Sequence, residues 1–281
     1  MAANAYPNLK QDLIASVVQR ELEFKAKLLP TVTNVSQFAV PGSKSISFPK
    51  LSSFTVESRA FGASASTDQV LADTLDQINM DQNKIVKWIV DAKSDVQTTI
   101  GNFTESAKRA ASAHSRDLDS FIVSILESDS RTDWGAATGN ITRDIILDMQ
   151  NAAFDAEAEE DELVLVVSND QHKALLKISE FTSQEIYGDN VAVRAGRIGT
   201  LYGMPVIRRS GLAAQTYYMY AKSGLAVGIQ AGPDMDSEKA VDYGAGAMKH
   251  VMDILYGGDS LQRGEKGAAA GEGALLFKDN N

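Results

Sequence analysis

The sequence predicts an α+β fold in which an N-terminal arm, an extended β-hairpin loop, a long amphipathic helix and a mixed α/β region follow one another. Three observations carry this. From Phe103 to Leu126 apolar residues recur at steps of three and four, the period of one helical face. Leu163 to Val167 (LVLVV) is a continuous apolar run followed by Ser168 and Asn169, which reads as a buried strand entering a capped helix. Between Pro41 and Asn83, extended segments flank a small polar stretch and hold too few apolar residues for a core of their own.

The arm comes first. Leu9, Leu13, Ile14, Val17, Val18, Leu22, Leu28 and Leu29 fall on one face of a helix, and Pro30 stops it. Such a helix needs a surface, either its own core or a neighbouring molecule. Ser45 to Phe48 alternates as a strand, and Phe54 to Glu57 continues the extended tendency. Ser58 to Asp68 makes a soft tip, and Val70 to Met80 returns with Asp73, Asp76 and Gln77 interleaved. An isolated hairpin is marginal in water, so this ribbon calls for a partner that covers it.

Lys84 to Asp91 is rich in β-branched and aromatic residues and reads as a strand. The long helix follows, capped by Thr104 or Ser94, and two dozen residues make a rod of roughly 36 Å. His114 lies on its apolar face and reads as a hydrogen-bonded core residue. Arg131 to Gly139 is a loop, and Ile141 to Ala158 is a second amphipathic helix. The acidic run Asp155 to Glu162 is its solvated end.

In Arg197 to Gly203, both Gly199 and Gly203 read as positions of positive φ or close backbone approach before a strand at Pro205 to Ile207. Tyr217 to Ala221 and Leu225 to Gln230 read as two strands joined at Lys222 to Gly224. Val251 to Tyr256 is another apolar run, Arg263 to Gly273 a glycine-rich loop, and Ala274 to Phe277 a last short strand.

With 281 residues, 44% hydrophobic and 23% charged, the chain has the composition of a soluble globular protein with ample core. Cysteine is absent, which excludes disulfides and thiolate metal sites. No apolar run is long enough to cross a bilayer, and the first residues do not read as a signal peptide. The net charge of −10 gains nothing from counterion release, which argues against tight nucleic-acid binding.

Chemistry is sparse. There is no phosphate-binding loop, and Gly244-Ala245-Gly246 lacks the rest of a dinucleotide fingerprint. His114, His172 and His250 have no second ligand at zinc spacing. Ser168 fits a helix cap better than a nucleophile, and Asp234 with Asp236 are weak cation ligands. Neither a catalytic residue nor a cofactor or metal site is expected. Arg194, Arg197, Arg208 and Arg209 form the one basic cluster; they face an acidic neighbour, a ligand phosphate, or simply solvent and local carboxylates.

Three passages give this order of parts a family resemblance. LDQINMDQNKIVKWIVDAKSD (75–95) leading to AKRAASAHSRDLDSFIVSIL (107–126), with Asp119 before the apolar end, resembles an outgoing ribbon strand and spine helix. ELVLVVSNDQHKALLK (162–177) and RAGRIGTLYGMPVIRRSGL (194–212) with MYAKSGLAVGIQ (219–230) complete the match. The chain resembles the tailed-bacteriophage major capsid proteins of the Hong Kong 97 type, over nearly its whole length.

The resemblance implies four parts: an arm at 1–40, a hairpin loop at 41–83, a peripheral domain at 84–139 and 241–281, and an axial domain at 140–240. It implies hexamers and pentamers that close an icosahedral shell around double-stranded DNA, without sequence-specific binding or a membrane. It also implies assembly in the host bacterial cytoplasm with a separate scaffolding protein, a portal and, in some relatives, a decoration protein. Phe54, Arg59 and Phe61 on the ribbon and Arg194, Arg197, Arg208 and Arg209 are the expected interface residues. Some relatives cross-link a ribbon lysine; Lys50 is the nearest here, but it precedes the tip. An encapsulin-like compartment shares the fold and is the alternative function; a soluble α/β enzyme is a third.

Overall fold

The computed structural model describes residues 26–51, 56, 58–59, 61, 73–91, 102–128, 140–155, 160–178, 199–213, 216–244, 246–261 and 277–278. Most of the arm helix, the strand at Phe54, the loop at 131–139, Arg194 and Arg197 lie outside them. Pro30 sits in a single 3-10 turn, Leu29–Thr31.

Three sheets organise the described chain. β2 (Ser45–Leu51) and β3 (Asp73–Asn79) pair antiparallel as a two-stranded ribbon. A four-stranded sheet runs β1-β9-β10-β4, from β1 (Thr33–Asn34), β9 (Leu225–Lys239), β10 (Met248–Ser260) and β4 (Gln82–Val90). A five-stranded sheet runs β11-β8-β5-β7-β6, from β11 (Phe277–Lys278), β8 (Tyr217–Ala221), β5 (Leu163–Val167), β7 (Met204–Arg208) and β6 (Thr200–Leu201).

The run LVLVV is continuous because β5 has no solvent face. Leu163, Leu165 and Val167 point into one core with Ile146, Met149 and Ala153 of α2 (Arg143–Asp155) and with Leu175 of α3 (Asn169–Leu175). Val164 and Val166 point into the other, formed on the long helix α1 (Asn102–Ser128). β8 is split the same way: Tyr217 and Met219 serve the first core, Tyr218 and Tyr220 the second. Alternation with both faces covered is what a central strand requires.

The helix α1 is the spine the periodicity predicts, 27 residues and about 40 Å long. Leu118, Ile122, Val123, Ile125 and Leu126 pack in one cluster with Val227 of β9 and with Ile254 and Tyr256 of β10, so the helix joins the two larger sheets. His114 is buried on that face, its Nε2 3.2 Å from the Met252 carbonyl oxygen, as a core histidine should be. Ser168 caps α3 by accepting the Gln171 amide at 3.4 Å.

Three expectations need correction. Tyr217–Ala221 and Leu225–Gln230 are not a strand pair: β8 bonds to β5 and β11, while β9 bonds to β10 and β1. The 3-10 turn Lys222–Gly224 carries the chain from one sheet to the other. β9 also runs on to Lys239, through residues whose composition reads as a turn, because β10 supplies a partner along its length. Gly203 does take positive φ (+81°), forming with Tyr202 (+47°) the two-residue turn between β6 and β7. Gly199 does not take positive φ, and a Cβ there would meet nothing within 4 Å.

Candidate assembly surface

Among the described residues, cover is concentrated at the base of the ribbon. Ile46 and Ile78 face each other across the two strands and are buried with Val35, Ala39, Met80 and Ala226 in a small satellite core. Further out the apolar side chains lose their cover. Phe48 meets Phe38 edge to face at 6.1 Å, yet Phe38 is itself half exposed. Leu75 is 67% exposed, Val40 is 61% exposed, and Val56 and Phe61 are fully exposed. Scattered exposed apolar residues are ordinary, but these lie on the ribbon, beside it, or in sequence between its two strands.

The expected interface residues divide. Arg59 and Phe61 are exposed and lie, in sequence, between the two ribbon strands, and Arg208 is exposed at the end of β7. Arg209 is a correction: it is buried and turned inward, its Nη1 2.8 Å from Oδ2 of Asp119 and its Nη2 2.9 Å from Ser120 Oγ. Arg208 and Arg209 are adjacent at the strand's end and take opposite directions, so these two neighbours in sequence do not form one basic patch.

Asp119 is the centre of a polar junction that sequence reasoning noted only through resemblance. Its side chain has no exposure; it accepts the backbone amides of Lys27 and Leu28, each at 3.1 Å, besides the Arg209 guanidinium. One carboxylate thus holds the end of the arm, the spine helix and the exit of β7. Burial lowers the pKa of Arg209 and the carboxylate opposes that shift. The signal in the sequence is an aspartate between Leu118 and Ile122, inside the apolar face of the helix.

Tyrosine hydroxyls tie the same parts. Tyr220 is 2.6 Å from Thr31 Oγ1, Tyr256 donates to Asp117 at 2.6 Å, and Tyr218 donates to Glu127 at 3.3 Å. Burial, and for Tyr218 and Tyr256 the neighbouring carboxylate, raises all three hydroxyl pKa values, that of Tyr220 to about 12. They remain donors at neutral pH.

Asp234 and Asp236 are exposed on β9, Asp234 opposite Asp253 on β10. Among the described residues no group of carboxylates and histidines could hold a metal ion, and no helix is long and apolar enough to cross a membrane.

Comparison with known proteins agrees with this architecture. Among curated proteins, no sequence matches the chain. A solved structure from Mycobacterium phage Che8 shares 22% identity, covers 90% of this chain and 91% of its own, and superposes with a TM-score of 0.72. The bacteriophage PhiM1 mature capsid shares 13% identity over 91% of this chain and 87% of its own, with a TM-score of 0.65. A virus-like particle from Pyrococcus furiosus shares 12% over 90% and 91%, with a TM-score of 0.54. The sequence model of the family described as phage capsid protein matches residues 25–266. The chain belongs to the phage capsid protein family: it is a major capsid protein of the Hong Kong 97 fold, a building block of an icosahedral shell.

Proposed function

We propose that this subunit assembles as hexamers and pentamers that close around double-stranded DNA, and that its ribbon is an interface. The observation that carries this is the run of uncovered apolar side chains on and beside the ribbon: Val40, Val56, Phe61 and Leu75. Neighbouring copies supply the cover the subunit lacks. Each copy makes several modest contacts at once, and closure removes free edges. Arg59 and Arg208 act at the rim of such contacts, where charge selects partners more than it adds affinity. The interface roles of Phe54, Arg194 and Arg197 belong to the same proposal.

The division into an axial domain at 140–240 and a peripheral domain at 84–139 with 241–281 belongs to the proposal, with one change: the hydrogen bonding of β9 to β10 supports moving the boundary from 240 to 224. The net charge of −10 suits containment of DNA rather than adhesion to it. Assembly in the host bacterial cytoplasm with a separate scaffolding protein and a portal is part of the same proposal, supported by membership of the family. A structural, non-enzymatic role belongs to the proposal as well.

Electron microscopy of the purified protein tests the proposal directly: closed particles are expected. Phe61→Asp should cut particle yield at least tenfold while the soluble subunit keeps its circular dichroism spectrum. Unaltered yield would remove the ribbon from the interface. A shell that encloses protein cargo in place of DNA would favour the encapsulin-like alternative.

A further inference from the structure

The ribbon does not leave the body on a free hinge. Its inner corner, Asn79–Met80, lies directly on the four-stranded sheet, and it does so where two glycines, Gly228 of β9 and Gly257 of β10, face each other across the ladder. A Cβ on Gly257 would stand 2.0 Å from the Asn79 carbonyl oxygen and 2.9 Å from Met80 Cα. A Cβ on Gly228 would meet the Met80 Cε at 3.0 Å and Val35 at 3.3 Å. Neither glycine has a positive φ, so the need is for space, not for an unusual backbone.

We infer that the Gly228–Gly257 pair is a notch that fixes the take-off angle of the ribbon, which makes Gly257 a positioning residue for assembly. The surrounding bonds are those of a seat. Met80 N donates to the Lys44 carbonyl at 2.9 Å and closes the base of the ribbon. Ile229 N donates to Ser36 Oγ at 2.9 Å, and Gln230 Nε2 donates to the carbonyls of Val40 and Ser43 at 2.9 and 2.8 Å. Ile46, Ile78 and Met80 fill the space above Ala226.

The geometry sets the size of the effect. An ordinary carbon–oxygen contact needs about 3.3 Å, so alanine at Gly257 pushes Asn79 away by about 1.3 Å. Across one strand spacing of about 4.8 Å, that tilts the ribbon by about 15°, and over seven residue pairs displaces its outer end by about 5 Å. What this does to the shell rests on the ribbon being an interface; the angle itself does not.

The chain contains no cysteine, so two can be placed without interference. Nitroxides at Leu75→Cys on the ribbon and Ser124→Cys on the exposed side of the spine report the angle in the soluble, unassembled subunit. Gly257→Ala should shift their mean separation by about 3 Å or more, while Gly232→Ala, whose Cβ would meet nothing within 4 Å, should not. An unchanged separation in a folded Gly257→Ala subunit overturns the inference. Should that variant not fold, Gly228→Ala, which presses first on the flexible end of Met80, takes its place. A smaller shift supports the notch, and no shift overturns it. Particle yield, measured beside the distance, separates the two claims: a shifted ribbon with normal particles keeps the notch and overturns Gly257 as a positioning residue for assembly, while Phe61→Asp tests the ribbon as an interface.

Discussion

Arg209→Met isolates the energetic role of the buried junction. The substitution keeps most of the aliphatic stem and removes the guanidinium, leaving the Asp119 carboxylate with no exposure and only the amides of Lys27 and Leu28. The pair is separated by 2.8 Å. At an effective dielectric of 20 that is about 6 kcal/mol of attraction, offset in large part by the desolvation of both ions. Removing one partner of such a pair costs about 3–5 kcal/mol, and the two amides that remain hold the expected loss near 3 kcal/mol. Urea unfolding of the soluble subunit, followed by circular dichroism below its assembly concentration, measures this. Asp119→Asn in the same background should recover at least about 1 kcal/mol, because the uncompensated charge is gone. A loss of less than about 1 kcal/mol in Arg209→Met, or no recovery in the double variant, would refute the view that this pair holds arm, spine and β7 together.

Other perturbations address separate parts of the structure. Tyr220→Phe removes a hydroxyl with no exposure from Thr31, which keeps its bond to the Leu28 carbonyl at 2.6 Å; a loss of about 1 kcal/mol in the same unfolding assay is expected. Ser168→Ala deprives α3 of its cap and should cost about 1 kcal/mol, whereas Ser168→Gly should cost less. His172 and His250 have pKa values lowered from 6.5 by burial, and Arg208 adds to the shift at His172. Below pH 6.5 the unfolded chain takes up protons that the folded one resists, so stability should fall as pH drops from 6.5 toward the folded values. His250→Gln, which keeps a polar group near Ser237 Oγ, should flatten that slope in urea midpoints measured from pH 7.5 to 5.

Much of the fold was legible because single residues had only one plausible environment. The spine could be read from Phe103 to Leu126 since its period is unbroken, and LVLVV had to be a central strand because it offers no polar face. The strand exchange between β8 and β9 could not be read. Both flanks of Lys222–Gly224 are buried on alternating faces, so the sequence looks the same whether they pair with each other or serve two sheets. Nor could the outer half of β9 be read, since Gly232, Pro233 and Asp234 favour a turn. The ladder accommodates them with a register shift between Asp253 and Leu255, opposite Gly232 and Pro233, where proline's missing donor costs least. The junction at Asp119 escaped for a different reason: its partners Lys27, Leu28 and Arg209 are about ninety residues away in either direction. Local pattern carries no information on such contacts.

Between the apolar cores, directional polar bonds join the elements, and apolar side chains stand exposed on and beside the ribbon; this division of labour suits a chain that builds a shell. The described interior holds directional bonds: an ion pair, two backbone amides on one carboxylate, and tyrosine hydroxyls to Thr31, Asp117 and Glu127. Such bonds contribute little net stability, but they are lost steeply when geometry changes, so they define how the arm, spine and sheets are set relative to each other. The ribbon exposes the opposite chemistry, apolar side chains whose association at the proposed interface would depend on area and tolerate small changes of angle. A subunit that must occupy neighbouring positions of unequal curvature needs that combination. With the two exchanged, directional contacts between copies would allow one angle only, and an apolar junction inside would let each copy choose its own.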